Sequence, residues 1–267
     1  MVTSNTSLRS QPQPGTSVRM GVMFYSLTCY LVGVLTLCYL IFFIADMLVP
    51  VTINHGSGYA PELSGTSALI WNVCVVAIWG AQHSIMARPA FKKIWSCIVP
   101  VSMERSTYLL FVSITTVFLV GYWIPMPSVF WDLSGTAISG VLTVLYFFGW
   151  VVVLIATFLI NHFHLFGLQQ AYQYLQQQQS KQATFKTPLL YKLVRHPMMS
   201  GVLIALWAVP VMTHGRLSFN LLMTVYIFIG LYFEERNLAD ELGESYHHYQ
   251  KTTPAVIPRL RARKKAL

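Results

Sequence analysis

The sequence predicts an all-α integral membrane protein, and three observations carry that prediction. Of the 267 residues, 55% are hydrophobic and only 10% are charged, whereas an average soluble domain is about 25% charged. The apolar residues gather in long runs. The Lys and Arg residues collect in alternate connections between those runs.

Residues 1–20 are polar, with prolines and no apolar core or cleavage signature, which predicts a disordered cytoplasmic lead. Met23–Ile44 is an uncharged apolar run; Ala68–Trp79, extending to Met86, is a second. Thr107–Ile124 and Ile138–Ile160 follow. A membrane-crossing helix needs about 20 residues, so 21–160 reads as a four-span membrane part. Val202–Met212 and Leu217–Phe233 are shorter, with "THGRLS" at their junction. They predict a tight C-terminal helical hairpin that crosses only if thin or tilted, giving five to six membrane segments. Between these parts lies a cytoplasmic, interfacial connector, 161–198. Its Phe163, Phe166, Leu168, Tyr172 and Leu175 recur at helical spacing, as in a helix lying on the inner leaflet. Residues 199–258 form the hairpin and C-terminal unit, and 259–267 a basic tail.

Charge sets the orientation. The lead carries Arg9 and Arg19, and the 45–67 connection has no Lys or Arg. The 86–105 loop carries Arg88, Lys92, Lys93 and Arg105, and 125–137 again has none. The connector carries Lys181, Lys186, Lys192 and Arg195, and seven basic residues follow position 234. Both termini and the basic loops are therefore expected in the cytoplasm. The net charge of +9 is mostly this topology signal, with "RLRARKK" suited to anionic headgroups. No folded soluble part presents a basic face to nucleic acid, and no obligate protein partner is evident. Cys29, Cys38, Cys74 and Cys97 form no CxxC pair, so neither a disulfide framework nor a zinc site is indicated. No internal repeat supports a repeat-built transporter. The apolar spans also lack the polar path that a small-molecule transporter needs.

Chemistry concentrates near the last spans. Glu234 and Glu235 sit where the hairpin leaves the membrane, either as a solvated helix end or as a functional pair. Arg195-His196-Pro197 lies at the same depth. Pro197 suits the first turn of a helix, which aims Arg195 and His196 at whatever occupies that helix start. Arg195 can fork onto a carboxylate, either a neighbouring Glu or a substrate group.

"RHPMMSG", then "EERNLADELGESYHHY" and "PAVIP", resemble the isoprenylcysteine carboxyl methyltransferase-like membrane superfamily. The matching positions are Arg195, His196, Pro197 and Gly201, then Glu234, Glu235 and Leu238, and finally Gly243, Tyr246, Tyr249, Ile257 and Pro258. Met199 stands where many members have Tyr. "WGAQHSIMARPAFKKIW", "VPVSMERSTYLLF" and "NHFHLFGLQQ" resemble the bacterial methanethiol S-methyltransferases within that group, over roughly residues 20–260. The resemblance implies an inner-membrane enzyme with a cytosol-facing pocket for the co-substrate S-adenosylmethionine. The implied reaction converts methanethiol to dimethyl sulfide and releases S-adenosylhomocysteine. The implied pocket draws on His196, Pro197, Gly201, Glu234 and Glu235, together with Gln169, Tyr191, Tyr246 and His248. Another thiol or selenol, or a prenylcysteine carboxylate gripped by Arg195, is an alternative acceptor. A nicotinamide-dependent membrane reductase is a further reading of the C-terminal pattern.

A thiol reacts as its thiolate, so a base is expected. His83 and His164 are the candidates, with Arg195 the third catalytic group. A packed, hydrogen-bonded histidine is the plain alternative for each. His162 and His164 are two apart and cannot share a helix face, so they are not a metal pair. Glu104–Arg105 is either a salt bridge or a catalytic element. Arg88 and Lys92 are expected to snorkel to phosphates. Trp79, Tyr108, Tyr191 and Tyr246 are candidates to enclose a small apolar acceptor entering from the lipid.

Overall fold

The computed structural model describes residues 14–178 and 187–259. Most of the expected lead, part of the connector and the basic tail beyond Arg259 lie outside the described residues. Among the described residues, five helices are long and apolar enough to cross a bilayer: α1 (Thr16–Ala45), α2 (Gly65–Ala87), α4 (Val101–Tyr122), α5 (Ala137–Ile160) and α9 (His214–Leu242). Each exceeds 20 residues, and so spans the roughly 30 Å hydrocarbon core at 1.5 Å per residue. Their outer faces are apolar: Phe24 is 73% exposed, Leu35 69% and Val144 69%. Faces of that kind are stable against lipid and unstable against water. The protein is an all-α integral membrane protein. A two-stranded antiparallel ribbon, β1 (Val129–Asp132) with β2 (Val211–Thr213), is a small addition to that class.

The C-terminal hairpin differs from the expectation of two short arms. Its second arm, α9, runs 29 residues because the helix continues from "THGRLS" through Glu234 and Glu235 to Leu242. Gly243, at φ +58°, then stops it, in a conformation that glycine tolerates. Its first arm, α8 (Pro197–Trp207), has only 11 residues. Beyond it the chain runs as irregular backbone, Ala208 to Pro210, into β2. Irregular backbone survives at membrane depth only where protein buries and satisfies it. Leu206, Ala208, Val209 and Met212 are buried, and the Asn220 amide of α9 donates to the Leu206 carbonyl freed at the helix end. Apolarity alone had joined helix and irregular segment into one run.

Short helices fill the basic-loop end: α3 (Pro89–Trp95), α6 (His162–Leu165), α7 (Leu168–Leu175) and α10 (Glu244–Thr252). The connector helix α7 buries Leu168 and Ala171 and packs on α1 and α4. Helices α5 and α8 make the closest crossing. A Cβ on Gly149 would stand 2.5 Å from the Gly201 carbonyl oxygen, and the reverse holds for Gly201. Glycine at both positions lets α8 lie against the middle of α5, and a cavity opens further along, where the start of α8 meets the end of α5.

Candidate active site

His196 is the N-cap of α8 and Pro197 its first residue. The Arg195 and His196 amides donate to the carbonyls of Pro254 and Ala255, each at 2.9 Å. The Ser200 hydroxyl reaches the Val256 carbonyl at 2.6 Å. The "PAVIP" segment is thereby strapped across the start of α8.

Glu235 is the hub of this clasp. Arg195 forks onto it through Nε to Oε1 at 2.8 Å and Nη2 to Oε2 at 2.7 Å. His196 Nε2 lies 2.6 Å from Oε1, the Tyr246 hydroxyl donates to Oε1 at 2.9 Å, and Gln250 Nε2 donates to Oε2 at 2.8 Å. Arg195 Nη1 also reaches the carbonyls of Gln250 and Thr253. Burial opposes the charge of Arg195, yet the hydrogen bond and charge of Glu235 outweigh it and hold the guanidinium above its usual range. Burial, and then Glu235, push the buried Tyr246 hydroxyl up. Burial pushes Tyr249 up to about 12, and its hydroxyl donates to the Tyr191 carbonyl. The sequence left open which glutamate fixes Arg195; Glu235 does.

That assignment leaves Glu234 for the cavity beside the clasp. Its side chain is 50% exposed, and its nearest ionisable partner is His196 Nδ1 at 3.7 Å. The cavity encloses about 390 Å³ between the end of α5, the start of α8, the last turns of α9, and α10. Leu159, Ile160, Met198, Met199 and Leu238 give it apolar walls; Glu234 and Glu241 supply carboxylates. Its volume falls in the roughly 300–1,000 Å³ range of small-molecule sites.

Arg195, His196, Tyr191, Glu234 and Tyr246 all line this cavity. Pro197 starts its helix, and Gly201 serves the α5–α8 crossing. Gln169 lies elsewhere, bonded to Asn161 at 2.6 Å on the connector, and His248 is exposed on the outer side of α10. His83 and His164 do not line it either. His83 stacks on Trp79 with ring centroids 5.1 Å apart, and its edges meet Tyr108 and Tyr226. Its Nδ1 is buried and without a partner among the described residues. The four aromatic residues expected around one acceptor thus divide, Trp79 and Tyr108 around His83, Tyr191 and Tyr246 at the clasp. His164 is half-buried on α6, where burial and then the charge of Arg105 push it below its usual value. His162 has both nitrogens engaged, with the hydroxyls of Tyr30 and Thr157, each at 2.9 Å.

A second, smaller cavity of about 170 Å³ opens near His164, lined by Lys92 and Trp95, Glu104, Arg105 and Tyr108, and Leu165, among others. Lys92 pairs with Glu104 at 3.5 Å, so this acid serves a salt bridge. Arg88 lies over the Phe233 ring at 4.2 Å. Sequence reasoning missed Glu241 and Gln250. Glu241 follows Glu234 by two helical turns, a readable spacing, whereas nothing local marks Gln250.

A membrane-embedded helical bundle with a carboxylate-bearing, half-apolar cavity at one end belongs to the class of membrane enzymes that take a small ligand at the bilayer surface. Comparison with known proteins names the family. The chain is 42% identical to the methanethiol S-methyltransferase of Pseudomonas deceptionensis over 258 residues, 97% of each chain. It is 40% identical to that of Mycobacterium tuberculosis over 236 residues, 88% of this chain and 95% of the relative. Nurim of Rattus norvegicus is more distant, 25% identical over 181 residues, 64% of this chain and 68% of that protein. No family model and no solved structure matches the chain. The chain belongs to the methanethiol S-methyltransferase family of membrane methyltransferases.

Proposed function

We propose that this protein transfers a methyl group from S-adenosylmethionine to methanethiol, forming dimethyl sulfide and S-adenosylhomocysteine. The similarity over 97% of both chains to a methanethiol S-methyltransferase carries the reading. The cavity beside Glu235 suits the donor: Glu234 and Glu241 present carboxyl groups to it, and Leu159, Ile160 and Leu238 offer apolar surface. When bound, the donor supplies a methyl group on a positively charged sulfur. Glu234 and Glu241 hold its positive groups, and Tyr191, His196 and Tyr246 complete the wall. The uncharged acceptor enters from the lipid along the apolar side formed by Met198 and Met199. The Lys and Arg pattern supports a bacterial inner-membrane location with both termini cytoplasmic.

The chain's own task is to orient the reactants and take the thiol proton. His83 and His164, the expected bases, lie off this cavity, and His196 is the imidazole on its wall. Its Nε2 is fixed by Glu235 at 2.6 Å, leaving Nδ1 turned toward Glu234. His196 accepts the proton at Nδ1, and Glu234 stabilises the imidazolium that results. Arg195 is a positioning residue: its fork is spent on Glu235, so it does not grip a substrate carboxylate.

Headspace gas analysis of a heterologous host supplied with methanethiol tests the reaction. Dimethyl sulfide above the empty-vector level is expected; its absence from a host making inserted protein overturns the reading. In purified protein, His196→Gln should lower turnover by about 10²–10⁴-fold, with partial recovery at higher pH. His83→Phe and His164→Gln should fall well short of the low end of that range. The reverse ranking moves the base to the smaller cavity.

A further inference from the structure

We propose that the smaller cavity binds the phosphate of an anionic phospholipid headgroup, with Arg105 as its principal ligand. Five observations converge on it. The cavity lies between α3, the first turns of α4, the end of α2 and Leu165 of α6, all at the basic-loop end of the bundle. Around it Ile94, Ile98 and Val101 are 69–73% exposed, and Lys92 and Lys93 sit among them. A loop carrying exposed large apolar side chains next to cations lies at the depth of lipid phosphates. Glu104 is taken by Lys92. Arg105 is half-buried and makes no hydrogen bond or ion pair with a side chain among the described residues, although the charge of Glu104 acts on it. The Trp95 Nε1–H of the same lining is buried and has no partner among the described residues.

A half-buried guanidinium without a fixed acceptor is costly unless something brings one. The lining holds two cations, Lys92 and Arg105, and one acid, Glu104. A single phosphodiester charge would neutralise the remainder, and arginine's fork fits two phosphate oxygens. Trp95 would donate to a third. The acyl chains would run along the exposed Ile94 and Ile98, a continuation that a free anion lacks. Bound in this way, the lipid would pin α3 against α4 next to Tyr108, whose hydroxyl donates to the His83 carbonyl.

The test uses full-length protein stripped of endogenous lipid in detergent and titrated with dioctanoyl phosphatidylglycerol, with native mass spectrometry and thermal unfolding as readouts. One saturable lipid adduct that raises the unfolding temperature is expected. Arg105→Gln should weaken it by about tenfold or more, as the loss of a charge-assisted hydrogen bond implies. The exposed Lys93→Gln, outside the lining, should stay within about twofold, as for a surface charge. Lys92→Gln is the second variant, because it frees Glu104 to take Arg105 and should also weaken binding. Inorganic phosphate alone should not stabilise the protein. The proposal is overturned if both lining variants bind as the wild type does, or if phosphate stabilises as well as the lipid.

Discussion

Two arginines, Arg195 partly buried and Arg216 fully buried, stand at opposite ends of the bundle, and their difference teaches where to look for a site. Arg195 forks onto Glu235 beside a cavity of about 390 Å³. Arg216, in the first turn of α9, is 2% exposed and donates to the backbone carbonyls of Val211 and Ile44. Around it Asn54 bonds Asp46 at 2.7 Å and accepts from Thr213 at 2.7 Å, which ties the 46–55 loop to the β1–β2 ribbon. An intramembrane charge is a reasonable first guess at function, yet at Arg216 the charge only closes irregular backbone. A site needs the charge and an open volume together. The first arginine has both.

The largest expected effect comes from the hub of the first clasp. Glu235→Ala leaves Arg195 and three other donors without their acceptor. A hydrogen bond to a charged group contributes roughly 1.5–3 kcal/mol, and this partly buried carboxylate takes several, so thermal unfolding in detergent should show severe loss and ligand binding should disappear. Glu235→Gln, which keeps an acceptor, should recover part of the stability. Arg216→Met comes next. It orphans two carbonyls, at about 1–3 kcal/mol for each unsatisfied group. The folded fraction should keep wild-type affinity for S-adenosylhomocysteine; a large affinity loss would remove the distinction between the two arginines.

The smallest effect concerns pH. Burial holds His162 below its ordinary value, which is near 6.5. The folded state therefore prefers the neutral ring, whose nitrogens pair with the Tyr30 and Thr157 hydroxyls. Its contribution to stability is full above pH of about 6.5 and is lost as pH falls from there toward the lower folded value. Unfolding temperatures measured from pH 7.5 to 5 should decline, and the decline should shrink in His162→Gln. An identical slope in both proteins would clear His162 of the effect.

The clasp was largely legible in the sequence. Arg195, His196, Glu234 and Glu235 were marked by charge at the membrane edge, and Tyr246 came from the family resemblance. The four long spans followed from apolar runs. Two things were not legible. The irregular stretch at Ala208–Pro210 reads as apolar whether or not it is helical; only the Asn220 side chain, 14 residues from the carbonyl it satisfies, makes the break tolerable. The division of labour between Glu234 and Glu235 depends on a rotation of about 100° per helical residue, and on Gln250 and Tyr246 arriving from another helix. Neighbouring identical residues carry no local mark of which faces the clasp.

Glu234 is accordingly where the central claim is most exposed. Isothermal titration of S-adenosylhomocysteine into purified wild type and Glu234→Gln measures it directly, with thermal unfolding as the folding control. The wild type should show one saturable site. Glu234→Gln should unfold at nearly the same temperature, because its carboxylate makes no hydrogen bond within the clasp, and should bind about tenfold or more weakly. Wild-type affinity in Glu234→Gln, or no saturable binding to the wild type, would contradict the assignment of the cavity.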